Sequence, residues 1–359
     1  MTGTSRGSPL ARLMLAVYVL LMVYATLYPL AGWRDPGVPL LGFVAAPWPR
    51  YVTGFDLTVN FLGYLPYGLL CMLVIHPRLK GAAAVAAAIV TGSVLSLSLE
   101  TAQNFLPARI PSNLDVVANV AGVAAGALAG AFFSPALVGG GALQRLRAEA
   151  LSPGTAADLG LTLLGLWLFA QLNPATLLFG TGDLRILFAA PAGERYGAEL
   201  FVSVEAVIAA ANLTAVALLA SAGVRPGAPV LRLLLALLAV ALVVKTLAFM
   251  ILMHAEHVLI WLTPGAQLGL AAGAAISLAA LRLPRAARLV LAAMLLMAAT
   301  VLVNLAPPNP YLAETLKVWE QGHFLNFNGL TRLVSAAWPF AALGYLVYLA
   351  SARLREPLR

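Results

Sequence analysis

Ten apolar stretches, each about as long as a bilayer is thick, restrict this chain to one kind of fold. They fall near residues 10–30, 55–75, 81–101, 115–134, 158–178, 198–221, 231–253, 257–280, 287–305 and 331–351. About 20 apolar residues span the hydrocarbon core as a helix, and a helix satisfies its own backbone groups where no water can. The fold class that follows is all-α, a polytopic transmembrane helix bundle of about ten spans. Composition leads to the same place: 61% of residues are hydrophobic and 10% charged, against roughly a quarter charged in soluble domains. So few charges cannot cover a water-facing surface. The fifth and eighth stretches are the weakest, because Pro174 and Pro264 interrupt them.

The first stretch follows Arg6 and Arg12 and has some look of a signal peptide. Its apolar core exceeds the roughly 7–15 residues of such a signal and ends in Tyr28-Pro29 rather than a small-residue cleavage pattern. A retained first helix is expected. With an even number of spans, both termini share a side. Placing them inside puts Arg6, Arg12, Arg78, Lys80, Arg145, Arg147, Arg225, Arg232, Arg282, Arg285, Arg288, Arg353, Arg355 and Arg359 on that side, 14 of the 22 Lys and Arg. Of the acids, only Glu149, Asp158 and Glu356 join them. The positive-inside rule then makes both termini cytoplasmic and the expected location the inner (plasma) membrane, crossed many times.

The net charge of +8 does not signal nucleic acid, because the basic residues are scattered between apolar runs rather than gathered on a face. Cys71 is the only cysteine, which removes an intramolecular disulfide and a cysteine-based zinc cage. No metal and no cofactor is implied.

Against this apolar background, one polar stretch stands out: ETAQNFLPARIPSNLDVVANVAGVAAGALAG, Glu100 to Gly130. It leaves one span at Glu100, crosses a loop containing Arg109 and starts the next span at Asp115. Arg109, Asp115, Asn119 and Gly122 repeat the spacing of Arg50, Asp56, Asn60 and Gly63, so R-x5-D-x3-N-x2-G occurs twice, 59 residues apart. The first four helices thus read as two copies of one hairpin, pointing the same way. Asp and Asn four apart share a helix face, as do Glu100 and Gln103 three apart. Polar side chains so close to hydrocarbon need partners or a wet cavity, and Arg109 is placed to bind carboxylates bidentately. Two readings stand: helix caps tied together by Arg109, or a ligand site of Asp56, Asn60, Glu100, Gln103, Arg109, Asp115 and Asn119 opening to the outer face. Gly122-x3-Gly126-x3-Gly130 signals close helix packing.

Asn60, Pro66 and Gly68 in NFLGYLPYG, Glu100 and Gln103 in ETAQ, then Arg109, Asp115, Asn119 and Gly122 resemble the VanZ-like family of small membrane proteins over about residues 10–135. One departure is that IPSNL, between Arg109 and Asp115, lacks the acidic residues many members carry there, which weakens a divalent-metal site. The resemblance implies a cell-envelope role at the outer face, and a link to glycopeptide-antibiotic resistance through the founding member. It supplies no reaction.

Domains are expected at 1–135, a VanZ-like four-helix part, and 158–359, a six-span part, joined by a cytoplasmic connector at 136–157. In the second part, Glu205 and Lys245 each lie inside a span and are expected to pair, because either alone is costly in lipid. His254, Glu256 and His257 form a corner better read as solvated than as metal ligands. In the last outer loop Leu312, Leu316 and Trp319 share a helical face, which suggests a helix lying flat on the membrane or a lid.

The function favoured by these features is non-enzymatic: an outer polar site binding a membrane lipid, a glycan headgroup or another amphiphilic compound. The alternatives are a transporter or flippase, which broken helices near mid-bilayer would support, and a membrane-embedded transferase with Glu100 or Asp115 as base. The motif holds no Ser, Cys or His beside an orienting partner, which counts against the transferase. Oligomeric state is left open.

Overall fold

The structure, a computed structural model, describes residues 8–76, 78–137, 141–185, 197–252, 258–307, 309 and 325–354. Among these residues the chain is helical: α1 Pro9–Leu27, α2 Gly54–Ile75, α3 Gly81–Gln103, α4 Asn113–Leu137, α5 Ala142–Ala150, α6 Thr155–Ala170, α7 Ala198–Gly223, α8 Val230–Leu252, α9 Pro264–Ala280, α10 Arg285–Leu305 and α11 Leu325–Leu354. Eight of them are long and apolar enough to cross a membrane: α1 to α4, α7, α8, α10 and α11. The two shorter apolar helices, α6 and α9, are the proline-bearing stretches. α6 stops at Ala170, ahead of Pro174. Pro264 interrupts nothing; it opens α9 behind a Thr263 cap whose Oγ1 accepts the Ala266 N–H at 3.0 Å, a position where a missing N–H costs no hydrogen bond.

The chain divides into two compact units, Met1–Glu149 and Ala150–Arg359, and the division falls inside the expected connector. In the first unit α2 and α4 lie side by side and parallel. Gly122 meets the Phe61 carbonyl, Gly126 the Leu65 carbonyl and Gly130 Met72, while Gly68 fits against Val123 and Ala127. A Cβ on Gly126 would stand 1.9 Å from the Leu65 oxygen, so the backbones touch only because no side chain intervenes. α3 runs antiparallel to α4, with Gly92 against Val123 and Ser96 against Asn119. α1 joins through the Tyr18 hydroxyl, which donates to the Gly63 carbonyl at 2.7 Å. Tyr64, Tyr67, Met72, Ala84, Ala88, Val123 and Ala127 fill the core between them.

The second unit has its own parallel pair, α7 and α9. Gly265, Gly269 and Gly273 pack on Val202, Ala206 and Ala210. Trp167, Phe179, Leu218, Leu296 and Trp338 form the centre of its core. After α6 the chain stops being helical at Gln171, yet Gln171, Asn173, Leu178, Phe179 and Thr181 are buried. Non-helical backbone survives in a membrane domain only when protein or water satisfies it, and here α7, α10 and α11 supply the partners. Thr181 Oγ1 donates to Asn212 Oδ1 at 3.5 Å. The Gly182 N–H donates to the Ser335 carbonyl at 2.8 Å. Asn304 accepts the Leu184 N–H at 2.8 Å and donates to the Gly182 carbonyl at 2.7 Å.

This segment corrects the expectation of a direct Glu205–Lys245 pair. The two charges act on one another, but no ion pair joins them. The Lys245 ammonium donates to the carbonyls of Asn173 and Thr176 at 2.8 and 2.9 Å, and Glu205 Oε2 accepts the Thr263 hydroxyl at 2.6 Å. Unwound carbonyls offered Lys245 partners nearer than the carboxylate. His254, Glu256 and His257 and the segment carrying Leu312, Leu316 and Trp319 lie outside the described residues.

Candidate functional site: a carboxylate-rich corner of the first unit

At the end where α1 and α3 finish and α2 and α4 begin, the polar residues of the two repeats meet. Thr53 caps α2: its Oγ1 accepts the Asp56 N–H at 3.1 Å and donates to Asp56 Oδ2 at 2.6 Å. Ser112 caps α4, its Oγ accepting the N–H groups of Leu114 and Asp115 at 3.2 and 3.4 Å. The Ser112 N–H in turn donates to Glu100 Oε2 at 3.0 Å. Glu100 therefore fastens the last turn of α3 to the first turn of α4, and is only 4% exposed.

Because α2 and α4 are parallel and in near register, their first turns bring two aspartates together. Asp115 faces the Asn60 amide and the Asp56 carboxylate, and Glu100 senses both Asp115 and Arg109. Like charges at neighbouring helix N-termini are tolerable because both helix dipoles favour an anion there. Glu100, Arg109, Asp115, Asp56 and Asn60 are thus one electrostatic cluster.

Arg109 behaves differently from the bidentate carboxylate binder expected of it. Its Nε donates to the Tyr28 carbonyl at 3.0 Å and its Nη2 to the same oxygen. The guanidinium fork so ties the α3–α4 loop to the end of α1. Burial pulls the Arg109 pKa below its ordinary value, and the Glu100 carboxylate offsets part of that. The remaining two residues are also tied to helices. The Gln103 amide donates to the Thr26 carbonyl at 3.1 Å. Asn119 sits deeper, 2% exposed, and donates to Ser96 Oγ at 2.9 Å; its Oδ1 is buried without a hydrogen-bond partner.

The segment between α1 and α2 was not singled out by sequence reasoning, yet it covers this corner. The Arg34 N–H donates to the Phe105 carbonyl at 2.9 Å, Asn104 Nδ2 to the Leu40 carbonyl at 2.8 Å and Asn113 Nδ2 to the Ala46 carbonyl at 2.7 Å. Around it Trp33, Trp48, Tyr51 and Ile110 are exposed, Tyr51 to 96% and Ile110 to 89%. Tryptophan and tyrosine collect at membrane–water interfaces, so the aromatic content of residues 33–51 was the available signal. Among the described residues no three His, Cys, Asp or Glu lie close enough to hold a metal ion.

With this corner and its four helices in view, the comparison with known families is decisive for the first unit. Residues 15–134 match the VanZ/LLP1 family. The VanZ-like segment contains every residue of the cluster and lies wholly within the first unit; residues 150–359 are outside it. No curated protein and no solved structure matches the chain. The protein is accordingly a multi-pass membrane protein with a VanZ-like segment.

Proposed function

We propose that the VanZ-like unit binds the headgroup of an amphiphile at the Glu100 corner, from the non-cytosolic side of the plasma membrane. One observation carries the reading: a corner with three carboxylates and one guanidinium, the guanidinium turned to a backbone carbonyl, rimmed by exposed aromatic and apolar side chains. Carboxylates not neutralised by Arg109 suit a headgroup rich in hydroxyls or carrying an amine, and the apolar rim suits its chain. Envelope lipids, glycan-bearing lipids and amphiphilic antibiotics share that chemistry, which keeps the link to glycopeptide resistance within this one function. The corner holds no nucleophile, so a binding role fits better than group transfer.

Native mass spectrometry of the full-length protein released from membranes tests this. An amphiphile that co-purifies with the wild type should be lost from Glu100→Gln and Asp115→Asn. An unchanged lipid complement in both variants sinks the reading. The sidedness is tested separately: a Tyr51→Cys variant should react with a membrane-impermeant maleimide on intact cells, with Cys71 buried and silent.

The buried break after α6 favours a second reading for residues 150–359, in which that unit moves a solute. Broken helices at membrane depth are the usual site of coupling ions and substrates in transporters.

A further inference from the structure

Lys245 is wholly buried in the second unit, and its surroundings are unusual for a lysine. Its three N–H groups meet three oxygens: the Asn173 carbonyl at 2.8 Å, the Thr176 carbonyl at 2.9 Å and Thr176 Oγ1 at 3.3 Å. Thr176 Oγ1 also donates to the Asn173 carbonyl at 3.0 Å, which fixes the spacing of the oxygens. Phe249 closes another side, its ring centre 5.5 Å from the ammonium. The oxygens lie just beyond the C-terminal end of α6, where the chain has stopped being helical. Unwound carbonyls beside a helix C-terminus are the materials from which small-cation sites are made inside membranes.

Two further observations fit a cation site better than a simple anchor. The buried Glu205 carboxylate supplies a negative charge that acts on Lys245 without bonding to it. Thr176 also lines an open cleft of about 560 Å³, with Leu177, Phe201, Ile208 and Val303, so the oxygens stand one residue behind a surface an ion can reach.

We propose that the oxygens of Asn173 and Thr176 form a site for a small monovalent cation, which this chain fills with the Lys245 ammonium. A charged head on a side chain does what a bound ion does elsewhere: it holds the unwound segment together and balances Glu205. Removing the side chain then leaves an empty cage and an uncompensated buried carboxylate, which breaking a buried charge arrangement makes costly. A free cation of the right size takes the vacant place.

The test is chemical rescue of the full-length protein in detergent, read by its thermal unfolding midpoint. Lys245→Ala in choline buffer should unfold several degrees below wild type. Methylammonium, which replaces the missing head, should raise the variant's midpoint with the logarithm of its concentration and leave wild type unmoved. Choline, too large for the cage, should do nothing. A Lys245→Ala midpoint equal to wild type in choline overturns the proposal, as does a variant blind to methylammonium. If Lys245→Ala does not accumulate, the same titration is run on Lys245→Ala combined with Glu205→Gln, which keeps all three oxygens. A methylammonium-specific rise there supports the site, and a flat response overturns it.

Discussion

The two units solve the same packing problem at two seams and then diverge at the seam's end. α2 with α4 and α7 with α9 are both parallel pairs brought to backbone contact by glycines at every fourth position: Gly122, Gly126 and Gly130 in one, Gly265, Gly269 and Gly273 in the other. Water-driven burial does not hold helices together in lipid, so close packing of small residues has to. At the α2–α4 seam the first turns carry Asp56 and Asp115, and the loop arginine is spent on the Tyr28 carbonyl. At the α7–α9 seam the carboxylate, Glu205, is bound by the cap hydroxyl of Thr263. One seam therefore ends in acids still able to meet a ligand, and the other in an acid already engaged.

The largest expected effect comes from testing how strict the first seam is. Gly63 and Gly122 occupy the same place in the sequence repeat, but a Cβ on Gly122 would stand 2.1 Å from the Phe61 oxygen and one on Gly63 would meet nothing. Gly122→Ala should cost about 3 kcal/mol or more, the upper range of overpacking. Gly63→Ala should be neutral or stabilise by up to about 1 kcal/mol through helix propensity. Thermal midpoints of the two purified variants decide this; equal values would mean the repeat is equivalent in space after all. In the second unit Gly273→Ala should cost less than Gly122→Ala, because its Cβ would come only to 3.0 Å of Ala210.

Next in size is the tie between α3 and α4. Glu100→Ala leaves the Ser112 N–H without its acceptor, a loss of about 1–3 kcal/mol, whereas Glu100→Gln keeps an oxygen in place and should keep most of the stability. Folding and ligand retention should therefore separate in the Gln variant and fall together in the Ala variant. If Gln destabilises as much as Ala, the carboxylate's charge matters to folding, and the corner loses its contrast with Glu205.

Much of this was legible before any coordinates. The period of the apolar runs gave the bundle, and the repeat with ETAQ gave the cluster of Glu100, Arg109, Asp115, Asp56 and Asn60, because residues at fixed offsets on parallel helices must come level. Gly122-x3-Gly126-x3-Gly130 was readable as a contact, while Gly265-x3-Gly269-x3-Gly273 passed unremarked among many small residues. What sequence could not give was the choice of partner. Arg109 prefers a backbone carbonyl to a carboxylate, and Lys245 prefers Asn173 and Thr176 to Glu205, because nearby unwound carbonyls compete for donors and no pattern of charges records where they point. The buried path of residues 171–185 escaped for a related reason: its apolar run extends α6 in sequence, and only its tertiary hydrogen bonds end the helix.

The smallest expected effect concerns the two loop arginines, where the contrast between the units is one of charge. Arg185, unlike Arg109, is spent on an acid: its Nε and Nη2 donate to the two Asp183 oxygens at 3.0 and 2.6 Å. Burial pushes the Asp183 carboxyl up, but the Arg185 hydrogen bonds and charge, with Arg332 beyond, outweigh it and leave the pKa lowered. A lowered carboxylate contributes stability that is complete above the unfolded value, about 3.9, and is lost as pH falls through the folded one. Arg185→Met should therefore lower the thermal midpoint most at neutral pH, with the gap to wild type closing below about pH 4. Both side chains are about a third exposed, at 32% and 39%, so the gap should stay under about 1 kcal/mol. Arg109→Met should behave otherwise, because a guanidinium bound to a carbonyl has no acid to titrate with. Its cost should persist in acid, and a gap that closed there as it does for Arg185 would place Arg109 on Glu100 instead of Tyr28.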